Sequence, residues 1–261
     1  MNFSDKSALI IGGLGGLGKA ICQELVENGI SKIGIIDLLE ETEVNIKTFL
    51  KSDSIHFIYR KCSVTEFDSL KTAMKSIKDE FGCLDILINA AGIANELQHQ
   101  KVIDINFAGT VNSTLIGIEL MRKDLNKSQI NGGIILNIAS IAGLRPVFFM
   151  PVYSGTKHAI IGFTRSLVND AFYERTQINF IVICPGATRT QIIGHENVID
   201  KFPFPEMLSQ IRQISKNMSL QEPEIVSKCV VMALNDTENG AVWQCENSRI
   251  EKLQMHKYPE F

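Results

Sequence analysis

The sequence predicts an α/β fold in a single domain: a doubly wound, mainly parallel sheet of seven strands with helices on both faces. Three observations carry this. Strand-sized apolar runs alternate with helical patterns along the chain. The runs are apolar throughout, as strands covered on both faces must be. Strict strand–helix alternation requires right-handed crossovers between parallel neighbours. No linker, repeat or low-complexity tract interrupts the 261 residues, a length that one hydrophobic core can fill.

The elements follow in order. "SALIIGG" (7–13) reads as the first strand, and "GLGKAICQELVENG" (16–29) as the first helix. "KIGIID" (32–37) leads to the helical stretch 39–52, and "IHFIYRKC" (55–62) to the one at 65–82. "LDILINAAG" (84–92) precedes a long segment running to about Lys127. "GGIILNIAS" (132–140) precedes a helix across 151–175, and "INFIVICPG" (178–186) follows it. A helix near 223–235 and a last strand, "GAVWQCE" (240–246), complete the set. Between them, 188–220 is irregular, with Pro203 and Pro205, as expected of a substrate lid. Residues 247–261 read as a C-terminal tail.

Composition narrows the class. Apolar residues make up 45% and charged residues 21%, the proportions of a soluble globular protein. A net charge of -3 argues against nucleic acid and anionic membrane as partners. No apolar run reaches the roughly 18 residues of a membrane span, and the N-terminus lacks the pattern of a signal peptide. The six cysteines form no Cys-x-x-Cys pair, so reduced, mostly buried thiols in the cytoplasm are expected. The five histidines show no metal-ligand spacing, and no metal is expected.

Two motifs carry chemistry. "GGLGGLG" (12–18) joins the first strand to the first helix, with Gly12, Gly16 and Gly18 spaced G-x-x-x-G-x-G. Glycine lets backbone N–H groups approach a pyrophosphate at a helix N-terminus. Asp37 ends the second strand, nineteen residues after Gly18, where a carboxylate binds the adenine ribose hydroxyls. A carboxylate there repels the extra phosphate of NADP, and Leu38 and Leu39 offer no Arg to receive it, so NAD is favoured. In "YSGTK" (153–157), Tyr153 and Lys157 lie four apart and share a helix face. An ammonium there stabilises a phenolate and makes the tyrosine an acid/base usable near neutral pH.

Together these residues resemble the short-chain dehydrogenase/reductase family, a Rossmann-type fold, over nearly the whole chain. "NAAG" (89–92) resembles the Asn-Asn-Ala-Gly stretch after the fourth strand. Asn106 in "DINFAG", Ser140 in "NIAS", Tyr153 and Lys157 fall where the family's catalytic tetrad falls. "PGATRT" (185–190) resembles the Pro-Gly turn that leads to a nicotinamide-binding Thr. The resemblance places cofactor contacts at Gly12, Gly16, Leu17, Gly18, Asp37, Ser63, Val64, Asn89, Ala90, Ala91, Gly92, Tyr153, Lys157, Pro185, Gly186, Thr188 and Thr190. More narrowly, the glycine turn, "PGATRT" and the tail are similar to insect-type alcohol dehydrogenases and 15-hydroxyprostaglandin dehydrogenase-like proteins. Three positions depart from the family: Ser63 replaces an Asp near adenine, Ala90 an Asn, and Ile11 a Thr.

The resemblance implies NAD, a homodimer formed by the helices near 98–126 and 151–175, and hydride transfer from an alcohol. In that scheme Tyr153 is the base, ionised with the help of Lys157 and the nicotinamide charge. Ser140 holds the substrate oxygen, Asn106 supports a proton relay, and the tail after Trp243 lies across the partner subunit. The substrate expectation is an apolar alcohol or ketone. Phe148, Phe149 and Met150 precede Tyr153, and the lid adds Ile192, Ile193, Phe202, Phe204, Met207 and Leu208. His195 is a further candidate contact in the lid. Two other readings stay open: an NADP-preferring carbonyl reductase, and a non-enzymatic nucleotide-binding or developmental protein on the same fold.

Overall fold

The computed structural model describes residues 1–39, 50, 54–126, 129, 132–192, 202–216, 219–236 and 238–256. Its sheet has eight strands in the order β3-β2-β1-β4-β5-β6-β7-β8. They are β1 (Ser7–Ile11), β2 (Lys32–Asp37), β3 (His56–Lys61), β4 (Ile86–Asn89), β5 (Gly133–Ile138), β6 (Ile178–Pro185), β7 (Val242–Glu246) and β8 (Arg249–Leu253). The first seven run parallel. Among the described residues, the helices outside the short 3-10 and π turns include α1 (Gly16–Glu27), α2 (Phe67–Phe81), α3 (His99–Ile103), α4 (Gly109–Met121), α5 (Pro151–Ser166), α6 (Asp170–Thr176), α7 (Leu208–Lys216) and α8 (Pro223–Asp236). None of the described helices is long and apolar enough to cross a membrane.

The seven expected strands are present; the eighth corrects the count. Asn247 and Ser248 both adopt positive φ, 51° and 63°, so the chain turns in two residues. It then pairs antiparallel with β7 in the register Glu246↔Arg249 to Val242↔Leu253. Such a turn matches the right-handed twist of the strands it joins. Much of the tail therefore lies on this chain's own sheet, and Leu253 and Met255 pack against a buried cluster that contains Val242. The expected helix across 151–175 is two helices. The Asn169 side chain accepts from Phe172 N at 3.0 Å and starts α6. Most of the helical stretch read at 39–52 lies outside the described residues.

Period two on strands buried on both faces divides the core into layers. Ala8 and Ile10 of β1 face a layer shared with Ile21 and Leu25 of α1 and Val230 and Leu234 of α8. Leu9 and Ile11 face the opposite layer, with Leu70, Met74 and Ile77 of α2 and Ile116 and Met121 of α4. A third cluster joins Val182 and Cys184 of β6 to Ile160 and Ile161 of α5. The order reverses between β1 and β4, because the chain leaves β1 for β2 and β3 and then returns to β1's other side. Their carboxyl ends open a crevice there, where this class of sheet holds its ligands.

Candidate active site

A cleft of about 260 Å³ lies in that crevice, floored by the glycine turn. Gly12 has φ +80°, and a Cβ on it would stand 2.6 Å from Ala91 N. A Cβ on Gly16 would stand 2.9 Å from Thr190 Cγ2. Side chains at these two positions would fill the space between the turn and the walls formed by Ala91 and Thr190. The bare turn opens helix α1, whose N-terminal N–H groups suit a pyrophosphate. Asp37 stands at one side of the cleft, with its Oδ1 accepting from Leu38 N at 2.7 Å. Glycine turn, helix N-terminus and strand-end carboxylate fit an adenine dinucleotide.

The residues named for that cofactor fall into two groups. Gly12, Gly16, Leu17, Gly18, Asp37, Val64, Ala90, Ala91, Gly92 and Thr190 line the cleft. Ser63 instead shares a hydrogen bond with Thr65 Oγ1 at 2.8 Å, while its neighbours Cys62 and Val64 reach the cleft wall. Asn89 is buried in the sheet and donates to Asn137 Oδ1 at 2.7 Å and Thr114 Oγ1 at 3.1 Å. It ties β4 to β5 and α4 rather than lining the cleft. Gly186 N donates to Cys245 O at 2.7 Å, which aligns the Pro185–Gly186 turn on β7. Thr188 is buried, donates to Gly186 O at 2.8 Å and bridges to Gln221, closing the base of the irregular segment. Sequence reasoning missed Ile93, Ile105 and Gln191 in the lining. Ile193 and His195 lie outside the described residues, as does much of the proposed lid.

The four catalytic candidates are brought together beside this cleft. Lys157 is buried on α5, its Nζ 5.5 Å from the centroid of the Tyr153 ring, one turn earlier. It donates to Ile138 O at the end of β5, at 3.0 Å. Ser140, two residues beyond β5, accepts from Ala142 N at 3.1 Å, so it also caps the short turn that follows. Asn106 sits in a π turn (Asp104–Ala108) between α3 and α4. Such turns interrupt a helix and often mark functional sites. The Asn106 amide is held by Ile93, accepting from its N at 2.8 Å and donating to its O at 2.9 Å. A Cβ on Gly92 would lie 3.4 Å from Asn106 Oδ1 and 3.7 Å from Lys157 Nζ, so both groups border the same glycine.

Burial sets the electrostatics. It pushes the Tyr153 phenol up to about 12, and a hydrogen bond from Ser140 pulls the other way. It pushes the Lys157 ammonium down to about 8, with Cys184 nearby acting in the opposite sense. The ammonium gives its hydrogen bond to Ile138 O, and desolvation is the largest effect on the phenol.

One buried carboxylate beside the catalytic candidates escaped the sequence reading. Glu96 is buried, 7% exposed, in the loop after β4. Its carboxylate accepts from Val152 N at 2.9 Å and Tyr153 N at 3.0 Å. Local pattern gave no sign of it, because its partners are more than fifty residues away.

Comparison with known proteins gives the family and the fold. The family model for short chain dehydrogenases matches residues 6–198. The chain is 33% identical to 15-hydroxyprostaglandin dehydrogenase (NAD(+)) of Rattus norvegicus, covering 100% of this chain and 98% of that one. It is 31% identical to alcohol dehydrogenase 2 of Ceratitis rosa, covering 99% and 98%. Among solved structures, levodione reductase superposes with a TM-score of 0.77 at 23% identity, over 93% of this chain and 96% of that one. An NADP-bound structure of ElxO superposes with a TM-score of 0.73 at 26% identity, over 92% and 96%.

Proposed function

The chain belongs to the short chain dehydrogenase family, and on that premise we propose an NAD-dependent oxidation of an apolar secondary alcohol to its ketone, with the reverse reduction. The carrying observation is the convergence of Ser140, Tyr153 and Lys157 beside a glycine-floored cleft. Asp37 at the cleft wall supports NAD over NADP, since its charge repels a ribose phosphate. The NAD named for the rat relative agrees, while the NADP-bound neighbour shows that the fold accepts either cofactor.

Gly12, Gly16, Gly18 and Asp37 would hold the dinucleotide, and Thr190 would meet its nicotinamide end. Bound NAD supplies the hydride acceptor and, when oxidised, a positive charge beside the phenol. Tyr153, drawn toward its ionised form by Ser140 and that charge, takes the alcohol proton. Ser140 holds the substrate oxygen as its charge changes. Lys157 balances the phenolate from below the ring. Asn106, clamped to Ile93, fixes the wall against which Lys157 rests.

The enzyme is proposed to work as a homodimer in the cytoplasm. Exposed Ile103 and Leu115 on α3 and α4 support the first, and six free thiols support the second. Light scattering at micromolar concentration checks the dimer; a monomer mass overturns it. The activity is tested by NADH fluorescence across a panel of alcohols and ketones, with NADP(H) in parallel. Turnover of apolar secondary alcohols with NAD is expected. No turnover with any member of the panel, or turnover with NADP alone, overturns the reading.

A further inference from the structure

We propose that Glu96 is a positioning residue for Tyr153, an inference that rests on the dehydrogenase reading above. The first turn of an α-helix leaves four backbone donors without helical partners. In α5, Pro151 at the first position has no N–H to satisfy. Met150 N, at the cap position, donates to Val147 O at 2.9 Å. The remaining two, Val152 N and Tyr153 N, are both taken by the Glu96 carboxylate, at 2.9 and 3.0 Å. Met150, at the cap position itself, supplies no side-chain bond. The cap of the catalytic helix therefore comes from another segment of the chain, and one of its two bonds goes to the backbone of the proposed base.

Tyr153 is gripped on both sides of its α-carbon. Glu96 holds its N–H, and Thr156 Oγ1 donates to its carbonyl at 2.7 Å. The Glu96 loop is itself fixed, because Asn106 bonds both the N–H and the carbonyl of Ile93, three residues earlier. Lys157 is held separately, by Ile138 O of β5. Loss of Glu96 should thus free the tyrosine while leaving the lysine and the dinucleotide cleft in place. The bond to Tyr153 transmits backbone position to a phenol that must sit within hydrogen-bond reach of the substrate oxygen. A charged acceptor also suits the positive end of a helix.

The test uses Glu96→Ala and Glu96→Gln, with Asn169→Ala as a control that removes the α6 cap away from the site. In Glu96→Ala, amide exchange at Val152 and Tyr153 should quicken at least tenfold while Ile160 and Ile161 keep their protection. Its kcat should fall at least tenfold, with KM for the alcohol and Kd for NADH within twofold of the parent. Glu96→Gln keeps one acceptor oxygen and should recover part of the kcat, remaining at least threefold below the parent; it decides the matter if the alanine variant does not fold. Asn169→Ala should lower Tm and leave kcat unchanged. A Glu96→Ala or Glu96→Gln enzyme with kcat within twofold of the parent overturns the proposal. So do unchanged exchange rates at 152 and 153, or an equal kcat loss in Asn169→Ala. A parent with no dehydrogenase activity overturns the functional reading instead, and the exchange rates then still decide whether Glu96 holds the helix.

Discussion

The carboxylate of Asp37 accepts a hydrogen bond from Leu14 N at 2.9 Å, so the residue proposed to select the cofactor also braces the glycine turn. Gly12 N donates to Ile36 O beside it, at 2.8 Å. The turn and the end of β2 are thus one unit. Two substitutions separate the two roles. Asp37→Asn removes the charge and leaves one oxygen to accept from either Leu14 N or Leu38 N, so it should relax NAD/NADP discrimination with a smaller fall in Tm than Asp37→Ala. Asp37→Ala removes both, and should also lower Tm and raise KM for NAD about tenfold or more, as a hydrogen bond to a charged group contributes about 1.5–3 kcal/mol. Kinetics with both dinucleotides and thermal melts check this; an unchanged NAD/NADP ratio in Asp37→Asn assigns selection elsewhere.

Tyr153→Phe removes one hydroxyl and no packing. NADH binding and Tm should stay close to the parent values, while kcat falls by about 10²–10⁴, the range for a lost acid/base. Single-turnover kinetics and NADH fluorescence titration read the two effects separately. Near-parent turnover excludes the phenol as the base.

Gly12→Ala should damage the cleft more than its size suggests. At φ +80° an alanine is strained, and its Cβ would meet the Ala91 backbone at 2.6 Å. The nearest atoms all belong to the Ala90–Ala91 backbone, so no flexible side chain can move away. A loss of about 1–3 kcal/mol is expected in urea unfolding, together with a large rise in Kd for NADH. A stable variant that binds NADH normally would show that the turn can open without cost.

Lys157→Met tests the buried ammonium through pH. The folded lysine titrates at about 8 rather than 10.5. Between those values the unfolded chain holds more protons than the folded one, so the lysine's contribution to stability rises with pH across this window. Below about 8 both states are protonated and the full penalty for a buried charge applies. Lys157→Met should therefore be more stable than the parent near pH 7, on the order of 3 kcal/mol at about 1.4 kcal/mol per pH unit. That advantage should shrink as pH rises from 8 to 10.5. Denaturant unfolding without added dinucleotide measures it, and a difference that stays constant with pH would show that the folded lysine is not shifted.

What was legible in the sequence was local. Gly12 to Gly18, Asp37, and the pair Tyr153 and Lys157 declare themselves by spacing within one turn or one crossover. So did the order of seven strands, through runs such as "SALII" and "FIVIC" that are buried on both faces. The rest depends on contacts distant in sequence. Glu96 reads as an ordinary loop carboxylate until α5 folds against it. Asn89 reads as part of a cofactor motif, yet its amide turns to Asn137 and Thr114 inside the core. The two-residue turn at Asn247–Ser248 was readable in principle, but the strand after it, Arg249–Leu253, has exposed or half-buried residues and no apolar run to announce it.

The substrate preference can be argued from the apolar side chains that line the cleft and the phenylalanines that stand exposed outside it. Phe148 is 47% exposed, against Phe149 at a ring-centroid distance of 5.4 Å, just before the catalytic helix. Phe204 is 52% exposed and packs edge-on against buried Phe202 at 5.3 Å. Ile93 and Ile192 line the cleft itself. Phe148, five residues before the proposed base, is exposed aromatic surface that offers burial to an apolar substrate. Two arginines near these residues in sequence already pair with carboxylates: Arg145 with Glu246, and Arg189 with Glu222 at 2.9 Å. Along a series of secondary alcohols, kcat/KM should rise about fourfold per added methylene, equivalent to about 0.8 kcal/mol each. The rise should stop once the aromatic surface is covered. Phe148→Ala should flatten the series at its long end without altering the shortest member. A sugar alcohol should be a poor substrate, because its hydroxyls need partners that these side chains lack. A flat series in the parent enzyme, or a preference for the sugar alcohol or a hydroxy acid of equal length, would place the binding energy on polar groups instead.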